Sequence, residues 1–254
     1  MMTRTADELA GMVDSLVTGA AKALADYDSY DQERIDRIVK KSSVAALDRH
    51  AALARLAVEE TGRGVFEDKA VKNIFACEHV THSLAKVRTV GVISEDEITG
   101  VVEIADPVGV VAGITPVTNP TSTTIFKALL ALKTRNPIIF AFHPAAQRCS
   151  TEAARVVRDA AVAAGAPEHC IQWIEQPSVE DTTALMHHPG VATILATGGN
   201  GMICASEQAV ILDDEIYDAA LAESRGCRRR PERRPPAFRA RQPPGTGHGW
   251  PRAG

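Results

Sequence analysis

The sequence predicts a doubly wound α/β fold, a parallel sheet flanked by helices, with a helical layer on its amino-terminal side. Three observations carry this expectation. From residue 109 the chain alternates short apolar runs with amphipathic segments in the order β-α-β-α-β-α-β. The apolar runs are continuous rather than alternating, as in strands covered on both faces. Aromatic content is only 4%, so Ala, Val, Ile and Leu must fill the core, which suits helices packed on such a sheet.

Each element follows from its pattern. Residues 3–26 place Leu9, Met12, Val13, Leu16 and Val17 at helical spacing. A second, longer helix is expected over 32–60, with Ile35, Ile38, Val39, Leu47, Leu53 and Leu56 on its apolar side. Gly62 or Gly64 supplies its left-handed stop. A third helix covers 66–86. These amphipathic helices need something to cover, and an outer layer over the sheet is their expected role. Residues 89–104 change period and read as a hairpin, packed on the sheet, around the acidic turn Ser94-Glu95-Asp96-Glu97. That acidic run lacks an apolar setting and reads as a solvated turn.

The sheet strands are expected at 109–114, 137–142, 171–175 and 191–196, and the helices between them at 122–134, 151–164 and 179–187. Thr121 or Ser122, Ser150 and Ser178 stand where helix caps belong.

Among 254 residues, 45% are hydrophobic and 24% charged, which are globular values. The net charge of −4 divides unevenly. Residues 224–254 hold nine Arg and one acid, a net of +8, which leaves −12 on residues 1–223. An acidic body offers no nucleic-acid footprint. Cys77, Cys149, Cys170, Cys204 and Cys227 form neither a CxxC pair nor a metal-ligand spacing, so no metal is expected. The start carries acids in place of an apolar signal region, and no apolar run is long enough to span a bilayer. Reduced thiols in a cytoplasmic protein are the expectation.

Ligands on such sheets lie outside the carboxyl ends of the strands. Here those ends are residues 115–119, His143-Pro144, Gln176-Pro177 and 197–201. The first leads into a helix amino terminus, where free N–H groups and the helix dipole favour an anion. The chain has no GxGxxG and no GxxxxGK[ST] pattern, so the residues alone leave a nucleotide site and a plain scaffold loop both open. Gly198-Gly199-Asn200-Gly201 suits close backbone approach to a ligand or simply a tight turn. Cys204, between Ile203 and Ala205, reads by itself as a small buried apolar residue.

Five segments together carry a resemblance. They are Glu59-Glu60-Thr61-Gly62-Arg63-Gly64, Asp106-Pro107-Val108-Gly109, the run from Ile114 through Thr115-Pro116-Val117-Thr118-Asn119-Pro120-Thr121 to Ser122, Leu195-Ala196-Thr197-Gly198-Gly199, and Ile203-Cys204-Ala205-Ser206-Glu207-Gln208. In this order they resemble the CoA-acylating branch of the aldehyde dehydrogenase family, as found in bifunctional aldehyde–alcohol dehydrogenases. The resemblance covers about residues 5–222. It implies an aldehyde, CoA and NAD giving acyl-CoA and NADH. Cys204 matches the nucleophile, because a thiolate attacks well and leaves well. Asn119 matches the side chain that stabilises the oxyanion. Ile114, Thr115, Pro116, Val117, Thr118, Asn119 and Gly199 match positions lining the NAD site. His143 stands where hydrolytic relatives carry a Lys that holds the adenine ribose. Cys77, Cys149, Cys170 and Cys227 gain no role.

The resemblance also implies departures. Only five positions separate Gly199 from Cys204, whereas relatives place a long segment there. Asn200-Gly201-Met202 therefore reads as the join of an internal deletion. Resemblance stops near Glu223, so most of the catalytic domain and the oligomerisation segments of relatives are expected to be missing. The expected organisation is helices and hairpin over 1–104, an NAD-binding α/β core over 105–202, a remnant with the Cys motif over 203–223, and a disordered Arg/Pro-rich tail over 224–254. The competing readings are a non-catalytic remnant that binds NAD and, more weakly, an anionic-surface or RNA binder working through the Arg-rich tail.

Overall fold

The computed structural model describes residues 5–198. Helix α1 (Ala6–Tyr27) begins at Thr5, whose hydroxyl accepts from Glu8 N–H while the Glu8 carboxylate accepts from Thr5 N–H. This reciprocal box satisfies two donors that the helix leaves open. Helix α2 (Gln32–Asp48) starts at Asp31, which accepts from Arg34 N–H at 2.8 Å.

The single long helix expected over 32–60 is two helices, α2 and α3 (His50–Thr61), broken at Arg49. Side chains intercept the backbone ladder there. The His50 ring bonds the Leu47 carbonyl at 2.6 Å, and Asn73 donates to the His50 carbonyl at 2.9 Å. With those carbonyls satisfied from outside, the chain can turn without stranding them. Helix α3 ends at Gly62, whose φ of +62° supplies the left-handed stop. Helix α4 (Phe66–Leu84) follows.

Strands β1 (Gly91–Asp96) and β2 (Val101–Ala105) form the expected hairpin, with two corrections. Ser94, Glu95 and Asp96 lie in β1, and the turn falls on residues 97–100 instead. Asp96 builds that turn by accepting from Ile98 and Thr99 N–H. The hairpin also does not pack on the sheet. It is a separate two-stranded ladder, exposed everywhere except at Ala105. Its apolar residues are β-branched and fall on both faces, so neither face offers a clean surface to bury.

The central sheet is parallel, in the order β5-β4-β3-β6, from β3 (Val110–Ile114), β4 (Ile138–Ala141), β5 (Ile171–Trp173) and β6 (Val191–Ala196). Ile114 is level with Ala141 on one side and Ala196 on the other. The crossovers are α5 (Pro120–Lys133), α6 (Gln147–Ala163) and α7 (Val179–Met186). Helices α1 and α7 lie together, with α1 against β3, β4 and β5. Helices α5 and α6 pack side by side, and α2, α3 and α4 cover these two helices, so of the amino-terminal helices expected over the sheet it is α1 that lies on the strands. Ile35, Ile38, Leu53, Ile125, Leu129, Leu132, Ile138 and Phe140 are fully buried in this arrangement. Each such side chain contributes about 1.5–3 kcal/mol relative to exposure.

Of the expected caps, only Ser178 holds, in a box with Asp181. Helix α5 starts at Asn119, because Pro120 fits the first helical position and Thr121 bonds Asn73 instead. Helix α6 starts four residues before Thr151, after a short 3-10 turn (Pro144–Ala146), and Ser150 is buried inside it.

Candidate functional site

The site lies where the strand order reverses. From β3 the chain builds outward to β4 and β5, then returns to place β6 on the other flank of β3. Such a reversal opens a crevice beyond the carboxyl ends of the two central strands. Thr115 N–H reaches the Ala141 carbonyl at 3.4 Å, and Thr197 N–H reaches the Ile114 carbonyl at 3.1 Å. Residues 115–119 therefore leave the sheet edge between β4 and β6.

The structure brings together most of the expected cofactor-lining residues. Ile114 is the last residue of β3, Thr115 is buried, Pro116 and Val117 are half-buried, and Thr118 is exposed. Val117 packs on Ala57, Ala146 and Cys149. Opposite them, Gly198 has a φ of +88°, and a Cβ there would meet Pro116 Cβ at 2.7 Å. The two loops thus touch, and glycine is what lets them. Gly199 and Cys204 lie outside the described residues.

Asn119 opens α5 with φ −134° and ψ 62°, yet its side chain makes no capping bond. Asn at this position ordinarily accepts from the second or third helical N–H. Pro120 carries no N–H and Thr123 N–H bonds the Asn119 carbonyl, so the uncapped donors of the first turn of α5 are those of Thr121 and Ser122.

Three side chains of α4 grip this turn from outside. Lys69 donates to the Thr118 carbonyl at 2.9 Å, Lys72 donates to Asn119 Oδ1 at 3.2 Å, and Asn73 accepts from the Thr121 hydroxyl at 2.9 Å. Positions 69, 72 and 73 share one helix face. Lys69 is only 5% exposed, and burial followed by the like charge of Lys72 lowers its pKa.

From beneath, Lys127 of α5 donates to the Ile114 and Leu195 carbonyls, both at 2.6 Å. It ties the ends of β3 and β6 together directly below the crevice. Lys127 is 1% exposed, and desolvation pushes its pKa down to about 7.

The next helix along the edge is different. The Glu60 carboxylate, at the end of α3, accepts from Arg148 N–H at 2.8 Å and Cys149 N–H at 2.6 Å. The amino terminus of α6 thus already holds an anion from the chain itself. His143, at the position where hydrolytic relatives carry the ribose-binding Lys, is exposed, and its Nδ1 accepts from Ala145 N–H. The described cysteines, Cys77, Cys149 and Cys170, are buried thiols whose pKa burial raises to about 12. Unreactive packing residues behave this way.

Sequence reasoning passed over Lys69, Lys72, Lys127 and Glu60. Lys127 carried a readable signal, a lone charge among Ile125, Phe126, Ala128 and Leu129 in an apolar helix. Glu60 stood inside a quoted motif, but its partners on α6 are 88 and 89 positions away, and nothing local identifies them.

Comparison with known proteins gives consistent results. The family model described as "Aldehyde dehydrogenase family" matches residues 1–210. The chain is similar to aldehyde-alcohol dehydrogenase 2 of Entamoeba histolytica, with 54% identity over 87% of this chain and 31% of that protein. The chain therefore spans about a third of that relative's length. The match runs for 269 positions, more than the 254 residues here, so it includes positions with no counterpart in this chain. Among solved structures, an acetylating aldehyde dehydrogenase from Geobacillus thermoglucosidasius superposes with a TM-score of 0.75 at 48% identity, over 78% of this chain and 44% of that one. A propionaldehyde dehydrogenase from Rhodopseudomonas palustris, with bound CoA and an acylated cysteine, gives 0.65 at 31% identity, over 83% and 44%.

Proposed function

The chain belongs to the aldehyde dehydrogenase family, and from that membership we propose that its chemistry is the CoA-acylating oxidation of an aldehyde. Aldehyde, CoA and NAD give acyl-CoA and NADH. The observation that carries this reading is the uncapped start of α5 at the strand reversal, with the Asn119 side chain released from capping. A dinucleotide fits there, because the open donors of α5 and the close approach of Gly198 to Pro116 leave backbone free to meet phosphate and ribose.

Ile114, Thr115, Pro116, Val117, Thr118 and Asn119, with Gly199, hold the cofactor in this reading. Bound there, NAD supplies the acceptor for the aldehyde hydride. Cys204 is the nucleophile. Its sulfur adds to the aldehyde carbon, and the carbonyl oxygen becomes an oxyanion. The Asn119 amide donates to that oxyanion, which a fixed neutral donor does without reorganisation. The acyl group then passes from the Cys204 thioester to the CoA thiol, as a weakly basic leaving thiolate permits.

Among the described residues no helix is long and apolar enough to cross a membrane, which suits the cytoplasmic setting we assign. The aldehyde is small, with acetaldehyde the simplest probe. A second reading is favoured by the positions of the relative that have no counterpart here. In it the chain binds NAD without turning over.

The test is NADH formation by the purified chain with acetaldehyde, NAD and CoA, beside Cys204→Ala. CoA-dependent NADH that disappears in the variant supports the catalytic reading. NAD binding by calorimetry with no NADH formed selects the second reading, and neither binding nor turnover overturns both.

A further inference from the structure

We propose that Lys72 is a positioning residue that fixes the orientation of the Asn119 carboxamide and polarises it for oxyanion binding. This rests on the acylating reading above for its chemical purpose, but its geometric content stands independently.

An ammonium group can only donate, so the Asn119 atom 3.2 Å from Lys72 Nζ must be the carbonyl oxygen. The planar amide then points Nδ2 away from α4. Among the described residues Nδ2 makes no hydrogen bond. Both facts are unusual for an Asn at a helix start, where Oδ1 is ordinarily drawn back onto the helix N–H groups. Here Lys72 competes for that oxygen and wins, because a charged donor makes the stronger bond. Lys69 holds the adjoining carbonyl of Thr118 and Asn73 holds the Thr121 hydroxyl, so residues on either side of Asn119 are held by the same helix face.

The chemical consequence is twofold. With its oxygen engaged, the amide cannot flip and offer an acceptor to the oxyanion, which would be repulsive. The ammonium also draws electron density toward Oδ1 and makes the N–H bonds more acidic, strengthening the donor. Lys72 is exposed while Lys69 is buried, so the two lysines separate by experiment. Loss of Lys69 removes a buried bond and lowers the melting temperature. Loss of Lys72 leaves folding intact and changes the amide.

The experiment uses the full chain labelled with 13C and 15N, the Asn119 side-chain amide being identified by its loss in Asn119→Ala. In Lys72→Met the Asn119 NH2 pair and Cγ should shift and exchange their hydrogens faster, with the melting temperature unchanged. Lys72→Arg should restore the wild-type positions. Amide signals of Lys72→Met that superimpose on wild type overturn the proposal, as does a Lys72→Arg variant that behaves like Lys72→Met. In the NADH assay Lys72→Met should lower kcat about tenfold, less than loss of the donor itself, with KM for NAD unchanged. An unchanged kcat also overturns it. A wild-type chain that forms no NADH counts against the acylating reading, and the amide signals still decide the role of Lys72.

Discussion

The amino termini of α5 and α6 open on the same edge of the sheet, yet one is closed and the other is open. Both follow a parallel strand and both aim backbone donors outward. At α6 the Glu60 carboxylate fills the position with two short hydrogen bonds. At α5 Pro120 removes one donor, Asn119 declines to cap, and lysines of α4 hold its flanks. The rule that anions bind at helix starts names two candidates here. A single carboxylate from an outer-layer helix chooses between them.

The strongest way to break this contrast is to open the closed end. Glu60→Ala should cost about 3 kcal/mol, because two donors at a helix start lose a charged partner. Urea unfolding would measure it, and added sulfate should recover part of the loss in the variant but not in wild type. Next, the open end depends on the two loops meeting. Gly198→Ala forces a side chain into a positive φ and against Pro116, and should cost about 2 kcal/mol. The same variant should weaken NAD binding in a calorimetric titration.

The buried lysine below the open end gives a pH test. Burial pushes the Lys127 pKa down to about 7 in the folded chain, from an ordinary lysine value of 10.5. Between those values the unfolded chain holds more protons than the folded one, so stability rises with pH. The penalty is complete below pH 7 and is relieved as pH climbs above it. The slope from this group approaches about 1.4 kcal/mol per pH unit at most. Lys69, also lowered by burial, adds a contribution of the same sign. Unfolding curves from pH 7 to 9 should show the rise, and Lys127→Met should flatten it. The smallest effect comes from closing the open end. Asn119→Asp places a carboxylate at the start of α5, and should add about 0.5–1 kcal/mol while weakening NAD binding through like charge.

How much of this was legible follows from where the partners lie. The strand at 110–114 was readable because burial on both faces leaves a continuous apolar run, a local signal. The strand at 191–196, an edge strand buried only at Val191 and Ile194, was readable from its apolar content between Gly190 and Gly198. Ser178 was readable because its box partner Asp181 is three residues on. The break at Arg49 was not, since the groups that permit it include Asn73, on another helix. The caps at Thr121 and Ser150 failed for the same reason. Asn73 takes the Thr121 hydroxyl, and Glu60 takes the Arg148 and Cys149 N–H groups at the start of α6, so that Ser150 lies inside the helix; both partners come from far along the chain. Asn119 was legible through its motif, but its orientation was not, because Lys72 is 47 positions away.

The bond from Lys127 to Leu195 joins residues 68 positions apart. During vectorial synthesis, residues through β5 leave the ribosome while the flank of β3 that β6 will occupy is still bare. The crevice beside β3 has only one wall until Val191–Ala196 has emerged. Loop closure must come before the lysine finds its second carbonyl. A nascent chain halted before that point therefore carries a ligand site in half, and its β3 edge is open to any other strand that passes.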